Sequence, residues 1–481
     1  MQLYDFNFII FMVGLTIFHL ILQLFHNHTG LQGLISRLQV YVLLLVSIGI
    51  ICLQALRFSF IISLIILSSY LTGILLSKNL AQAYRKAILA IGIGISVAAL
   101  GIFKYFNFFA SSFAQLFHKD YVAINIILPL GISFYTFTAI SYMVDVYRGK
   151  IIVEKNFVNY ALLICFFPKL VAGPIVRAED FLPQIRNYKG VKWEGIETGI
   201  QIFVFGLFKK IVLADRLNVF VNDVFGAPSA FGSLTILLAV ISYSLQIYFD
   251  FSGYSDMAIG VSKILGIEIK RNFNLPYIAQ NFSEFWNRWH ISLSSWFRDY
   301  IYIPLGGNKK GEQRTYINLL IVMLISGLWH GAGWTFIVWG FLHGVLSCLH
   351  RAIRKTKFIS SNHIGIKIIR VSLTFIGATL LWVVFRAADM CSVGEIFKGL
   401  LAFREGVTQP YSWSFFAITC LALSTLVAGV RSKRKGLHNV DGFYPVLKLN
   451  TIVGLTAFLT FLGITILMGY FGNTAFIYGK F

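Results

Sequence analysis

The sequence predicts an all-α polytopic membrane protein, with re-entrant and interfacial helices between its spans. Three observations predict it. Of 481 residues, 57% are hydrophobic and only 13% charged, whereas a soluble domain carries roughly a quarter charged residues. Mean hydropathy is +0.74. Apolar runs approaching the roughly twenty residues a helix needs to cross the hydrocarbon core recur along the whole chain, about eleven or twelve in all. The longest polar intervals, at 176–195 and 387–411, are too short to build a core of their own. Residues 1–481 therefore read as a single membrane-embedded domain.

Taken in order, the spans are expected at residues 6–24, 38–56, 58–76 and 88–109. A run from Pro129 to 143 follows, then 200–221, 234–254, 317–328, 335–349, 368–385, 414–430 and 451–470. The first lacks a basic flank and a small-residue cleavage site, so it reads as a retained span and not a signal peptide. Three segments do not fit simple spans. Residues 161–174 are apolar but short, and Pro168, Gly173 and Pro174 interrupt them. That pattern suits either a re-entrant element or a kinked helix end. Residues 203–217 place Lys209, Lys210 and Asp215 in an apolar pattern. Adjacent lysines point to different helix faces, so at least one needs water, a lipid phosphate or a carboxylate. Residues 285–303 mix Arg288, Arg298 and Asp299 with Trp286, Trp289, Trp296 and Tyr300. Such charge density argues for an amphipathic helix lying at the cytoplasmic interface.

The net charge of +21 does not imply nucleic acid. The basic residues sit in short loops between apolar runs, the positive-inside pattern. They are Lys78, Arg85 and Lys86; Arg148, Lys150 and Lys155; Lys263, Lys270 and Arg271; Lys309, Lys310 and Arg314; Arg351, Arg354, Lys355 and Lys357; and Arg431, Lys433, Arg434 and Lys435. With these loops in the cytoplasm against anionic lipid, the N-terminus faces outward. The abundant Phe, Tyr and Trp supply interfacial belts. Cys52, Cys165, Cys348, Cys391 and Cys420 are scattered, without the spacing of a disulfide framework or a zinc site. His26 and His28 read as ordinary juxtamembrane histidines, so no metal is expected.

The chemistry concentrates in residues 281–344. His290 lies in an aromatic, charged run, and His330 lies in a nearly chargeless apolar one. An ionisable side chain at membrane depth is costly unless it faces a cavity or a partner. Histidine is also the side chain that can take and return a proton near neutrality. The same segment has a packing reading. Gly327-x-x-x-Gly331 and Gly340-x-x-x-Gly344 have the small-residue spacing of close helix crossings, and His330 and His343 would then be hydrogen-bonded between helices. Upstream, Gln246, Asp250, Ser252, Tyr254 and Asp256 lie in or beside an apolar run. Asp250 and Tyr254 are one helical turn apart. The depth of Asp250 calls for a buried partner such as an Arg or a His. There is no G-x-S-x-G elbow, phosphate-binding G-x-x-x-x-G-K-[ST] loop or H-E-x-x-H zinc pair.

The runs SLQIYFDFSGYSDMAIG, EFWNRWHISLSSWFRDYIYIPLGG and GLWHGAGWTFIVWGFLHG, with FFPKLVAGPI upstream and FIYGKF at the end, closely resemble the membrane-bound O-acyltransferase family. The match is narrower to its bacterial branch of alginate O-acetylases and peptidoglycan O-acetyltransferases, and it covers most of residues 129–344. The resemblance implies a cupped ring of helices with a thin centre and a tunnel. It makes His330, in the W-H-G element, the catalytic base, and His290 a second functional residue that orients the donor or bonds the oxyanion. Asn287, Arg288, Trp289, Trp329, Asp250, Tyr254 and Arg298 are candidates for lining the tunnel, and Arg288, Lys270 and Arg271 for attracting donor phosphates. The implied donor is acetyl-coenzyme A or another acyl thioester, with no bound cofactor. The implied partner is an extracytoplasmic SGNH-hydrolase-like acetyltransferase, and the place of action is the bacterial inner membrane. The expected function is relay of acetyl groups to an exported or cell-wall polysaccharide. Alternatives are D-alanyl transfer to teichoic acid and, outside this class, a transporter without covalent chemistry.

Overall fold

The computed structural model describes residues 3–28, 32–54, 56–353, 361–408, 412–420 and 447–472, with all their side chains except those of residues 26–28, 54 and 57. Several features read from the sequence lie outside the described residues. These are the His26 and His28 side chains, Arg354, Lys355 and Lys357, the basic residues Arg431, Lys433, Arg434 and Lys435, most of the span expected at 414–430, and the closing FIYGKF.

Among the described residues the architecture is helical, and a lone bridge joins Phe231 to Val407. Among these residues seven helices are long and apolar enough to cross a membrane: Phe6–Phe25, Gln32–Leu53, Phe58–Leu76, Gln82–Leu116, Ser233–Ile264, Trp334–Ile353 and Ile364–Arg386. Each covers a run expected from the sequence. The other runs that lie within the described residues are helical too, but shorter, interrupted or more polar. Ile132–Tyr147 has 16 residues. The stretch from Trp193 to Gly226 is broken by a π-helical turn at Phe208–Ala214. Glu312–His330 opens on the polar EQRTYIN, and Ile452–Met468 has 17 residues. The chain is an all-α polytopic membrane protein.

The described chain forms two compact units. The first comprises Met1–Phe203 and Ser255–Lys270, and the second Val204–Tyr254 and Arg271–Phe481. In the first, Phe6–His28 packs on Gln32–Gln54, which packs on Leu56–Leu76, which packs on Gln82–Leu100. Ile132–Tyr147 lies against the last two and is buried from Ile132 to Val146. Its buried polar residues include Ser133, Thr136, Thr138, Ser141 and Asp145, so it is a core helix with polar groups in its packing and not an amphipathic one. The segment 161–174 is a broken helix. Phe157–Cys165 ends at Phe166, whose backbone turns extended, and Phe167–Leu170 makes one further turn. The freed backbone is buried in protein, where Ser47 Oγ accepts the Phe167 N–H at 3.2 Å. Irregular backbone at membrane depth needs such internal partners.

In the second unit, Asp215–Gly226 and the first half of Ser233–Ile264 share a core of Phe220, Val224, Ile236, Ala239 and Val240, with Val383 and Ile396 from later helices. The hairpin of Glu312–His330 and Trp334–Ile353 packs against Ile364–Arg386. The expected amphipathic helix at 285–303 is not a single helix. It is two seven-residue helices, Phe282–Arg288 and Ile291–Phe297, and a π-helical turn at Arg298–Tyr302. The break at His290 carries left-handed backbone, φ +43°. Phe285, Trp289, His290, Trp296 and Phe297 are buried, whereas Asn287, Arg298 and Ile303 are exposed, so the broken segment keeps one apolar face packed in the core.

Candidate functional site

The approach to His290 is set locally. Asn281 opens the first short helix by accepting the Glu284 N–H at 2.8 Å, and Glu284 Oε2 accepts the Gln280 N–H at 2.8 Å. This reciprocal capping fixes where the helix starts. Arg288 closes it, bonded to Glu284 one turn back at 2.8 Å and to the Asn274 carbonyl at 3.1 Å. Trp289 then leaves the helix in extended conformation, and His290 turns left-handed. For a residue other than glycine that turn is strained. An external clamp holds it. The Asn274 N–H donates to the Arg288 carbonyl, and the Ile291 N–H to the Asn272 carbonyl, both at 2.9 Å. The His290 ring is fully buried. It stands edge-on to Phe251 at 4.7 Å and contacts the Trp329 indole at 5.8 Å, with Nδ1 3.1 Å from Asn272 Oδ1.

His330 ends the Glu312–His330 helix. Its ring, 2% exposed, lies among Trp329 at 5.0 Å, Trp339 at 5.0 Å and Phe385 at 5.4 Å. The carbonyl-rich end of a helix favours a positive charge, which suits a ring that takes up a proton. The two imidazoles, forty residues apart in sequence, therefore touch the same indole, Trp329.

Glycines bring the His330 hairpin together. A Cβ on Gly327 would sit 2.2 Å from the Phe336 carbonyl oxygen, and one on Gly340 would sit 2.3 Å from that of Met323. The packing reading of the glycine spacing holds alongside the functional reading of the histidine. Gly340→Val is expected to cost about 1–3 kcal/mol or more through overpacking, seen as a lowered thermal midpoint in detergent. Gly394→Ala, where a methyl group meets nothing within 4 Å, is the control expected to be neutral or slightly stabilising. His343 is not hydrogen-bonded between helices. Among the described residues neither of its ring nitrogens has a hydrogen-bond partner. It is fully buried, with Trp339 at 4.8 Å and Trp286 at 5.0 Å set steeply to its plane.

A cleft of about 480 Å³ opens nearby, lined by Trp286, Asn287, Ser294, Ser295, Arg298, Tyr302, Ser326, Ser347, His350 and Arg351 among others. Of the candidates named from sequence, Asn287 and Arg298 line it. Arg298 Nε also bonds Asp299 at 2.8 Å. Ser326, on the cleft wall, lies one turn before His330. Arg288 does not line the cleft, because Glu284 and Asn274 hold its guanidinium. Lys270, in the first unit, pairs with Asp180 at 2.7 Å. Trp289 is a core residue, stacked on Phe285 at 5.6 Å and 4.8 Å from Trp382. Asp250 and Tyr254 are buried. The partner of Asp250 is Lys210, at 2.7 Å, and not the Arg or His expected; Lys210 also binds Asp215 at 2.8 Å. The π-helical turn carries Lys210 inward. Lys209, beside it, instead lies over the Phe205 ring at 4.9 Å.

The arrangement offers two buried imidazoles and, lined by residues close to each of them in sequence, a largely apolar cleft that carries two guanidinium groups. Among the described residues no group of histidines, cysteines and carboxylates could hold a metal ion. Sequence reasoning missed Asn272, Trp382, Phe385 and Arg351. A visible signal existed for Trp382 and Phe385, which are aromatic residues one turn apart near the end of an apolar span. Asn272 gave none, since its importance lies in a contact made only on folding.

The model of the membrane-bound O-acyltransferase family matches residues 150–360. The chain is 38% identical over 366 residues to the peptidoglycan O-acetyltransferase of Helicobacter pylori, covering 70% of this chain and 68% of that one. It is 38% identical over 343 residues to a Pseudomonas putida protein named "Probable alginate O-acetylase", covering 70% and 69%. The teichoic acid D-alanyltransferase of Bacillus subtilis is 31% identical over 264 residues, covering 52% of this chain and 67% of that one.

Proposed function

The chain belongs to the membrane-bound O-acyltransferase family, and from that premise we propose that it moves acetyl groups from cytosolic acetyl-coenzyme A toward an exported or cell-wall polysaccharide, with His330 as the general base. It is an acyltransferase. The observation that carries the finer reading is the meeting of His330 and His290 on Trp329. In this reading the cleft admits the donor, and Arg298 and Arg351 attract its phosphates. His330 takes the proton from the attacking hydroxyl as its oxygen bonds the thioester carbonyl. The tetrahedral intermediate collapses, the C–S bond breaks, and the imidazolium returns the proton to the departing thiolate. His290 holds the donor or acceptor in register. Catalysis of this kind needs no bound cofactor.

In this reading the cleft's donor end lies on the cytoplasmic side of a bacterial inner membrane and the N-terminus outside, an orientation that the basic loops support through the positive-inside pattern. The acetyl group then passes to a hydroxyl on an extracytoplasmic, SGNH-hydrolase-like partner that modifies the polymer. The relatives named for acetyl transfer match at higher identity than the D-alanyltransferase, which favours the acetyl donor.

The test is mass spectrometry of the exported and wall polymers from cells with and without the gene. Loss of O-acetyl esters on deletion, restored by the wild-type gene, supports the proposal. Loss of D-alanyl esters with acetylation intact replaces it with the D-alanyl reading. No change in either ester sinks it.

A further inference from the structure

Asn272 is 1% exposed, and its side-chain oxygen is the hub of the His290 turn. Three groups converge on Oδ1: the Ser292 backbone N–H at 3.2 Å, the Ser292 hydroxyl at 2.9 Å and His290 Nδ1 at 3.1 Å. The first of these decides the rest. A backbone N–H can only donate, so the atom facing it must be the amide oxygen and not the NH2. Flipping the amide would set N–H against N–H at a buried site, where one unsatisfied group costs about 1–3 kcal/mol. An oxygen that must accept then requires a hydrogen on any nitrogen held within bonding distance. The His290 nitrogen at 3.1 Å therefore carries the proton. Burial also holds the imidazole well below its ordinary pKa, so the ring is neutral and has one proton to place.

We propose that Asn272 is a positioning residue that locks His290 as the Nδ1–H tautomer, so that Nε2 enters the reaction as a lone-pair acceptor and not as a donor to an oxyanion. This rests on the reading that His290 belongs to the acyl-transfer site. It also narrows the role of His290 there. A neutral ring locked this way accepts a hydrogen bond from a substrate O–H or N–H. The acceptor's hydroxyl and the amide N–H groups of the donor's arm are such groups. Stabilisation of the developing oxyanion then falls to other donors. The left-handed turn serves the same end, because it sets the His290 ring, the Ser292 N–H and the Ser292 hydroxyl around one amide oxygen.

The experiment has two arms. In the first, the full-length protein is labelled with 15N-histidine, and the His290 signal is assigned by its loss in His290→Phe. A wild-type spectrum with the proton on Nδ1, replaced by a mixed or Nε2–H signal in Asn272→Leu, supports the proposal. A wild-type ring protonated on Nε2 overturns it, whether or not the Leu variant folds. In the second arm, Asn272→Leu is expected to lower polymer acetylation about 10–100-fold, by analogy with the loss of the partner that orients a metal-binding histidine. Asn272→Asp, which keeps an oxygen in place, is expected to retain most activity and the Nδ1–H signal. A folded Leu variant with a changed tautomer and wild-type acetylation overturns the role of the lock. Full acetylation by His290→Phe would instead remove His290 from the site and leave the tautomer to the first arm.

Discussion

His330→Phe is expected to yield a folded, membrane-inserted protein that acetylates the exported polymer about 10²–10⁴-fold more slowly than wild type, the contribution of a general base. Phe is the informative replacement. Three aromatic rings, Trp329, Trp339 and Phe385, pack on His330 at 5.0–5.4 Å, so His330→Ala would also open a cavity in that cage and cost stability. A phenyl ring fills the space and accepts no proton. Comparable losses in the two variants, with unchanged insertion and a thermal midpoint near wild type for Phe, assign the loss to chemistry. A well-folded Phe variant with normal acetylation would remove His330 from the mechanism and leave it a packing residue of the glycine hairpin. His290→Phe is less clean as a first test, because it also unties the turn that Asn272 holds.

Much of this arrangement was legible in the sequence, for reasons that can be named. Span positions follow from apolar length alone, and each of the seven qualifying helices lies over an expected run. His330 stood out because imidazole is rare in a chargeless apolar segment. What failed to show depends on contacts between distant residues. The segment 285–303 has the charge density of an interfacial helix, and periodicity cannot reveal that one residue in its middle turns left-handed. Only the clamp from 272–274 makes that turn affordable, and no local signal predicts it. Arg288 is a different case. Glu284 lies four residues before it, the spacing of a helical ion pair, so this pairing is readable in the sequence. For Asp250 the sequence required a buried cation, and Lys210 was marked independently as a lysine in need of a partner. Nothing in a linear reading joins positions forty residues apart, whereas the π-helical turn does so by re-aiming the lysine.

Lys210→Met is expected to be among the most damaging single substitutions in the chain. Lys210 is 1% exposed and lies between two carboxylates, Asp215 at 2.8 Å and Asp250 at 2.7 Å, themselves only 4% and 2% exposed. Removing one partner of a buried ion pair costs about 3–5 kcal/mol, because the remaining charge is left without compensation. Here two carboxylates would be left, close together and out of water. The prediction has an order as well as a size. Asp215→Asn leaves one lysine facing one aspartate, a neutral pair, and should cost far less than Lys210→Met. Asp215→Asn combined with Asp250→Asn should recover part of what Lys210→Met loses, since no anion then remains to be stranded. The neighbouring contacts set the background. Asn218 accepts from Gln246 at 2.9 Å and Asn222 from Arg386 at 2.6 Å, so Asp215, Asn218 and Asn222 form a polar face at helical spacing. Through Asn222 that face joins Asp215–Gly226 to Ile364–Arg386, and through Asn218 to the helix bearing Asp250, whose next residue, Phe251, is the wall against His290. Thermal unfolding followed by tryptophan fluorescence in detergent would measure the series. A Lys210→Met protein as stable as Asp215→Asn would show that the cluster is hydrated or protonated in the native state and does not hold the helices by charge.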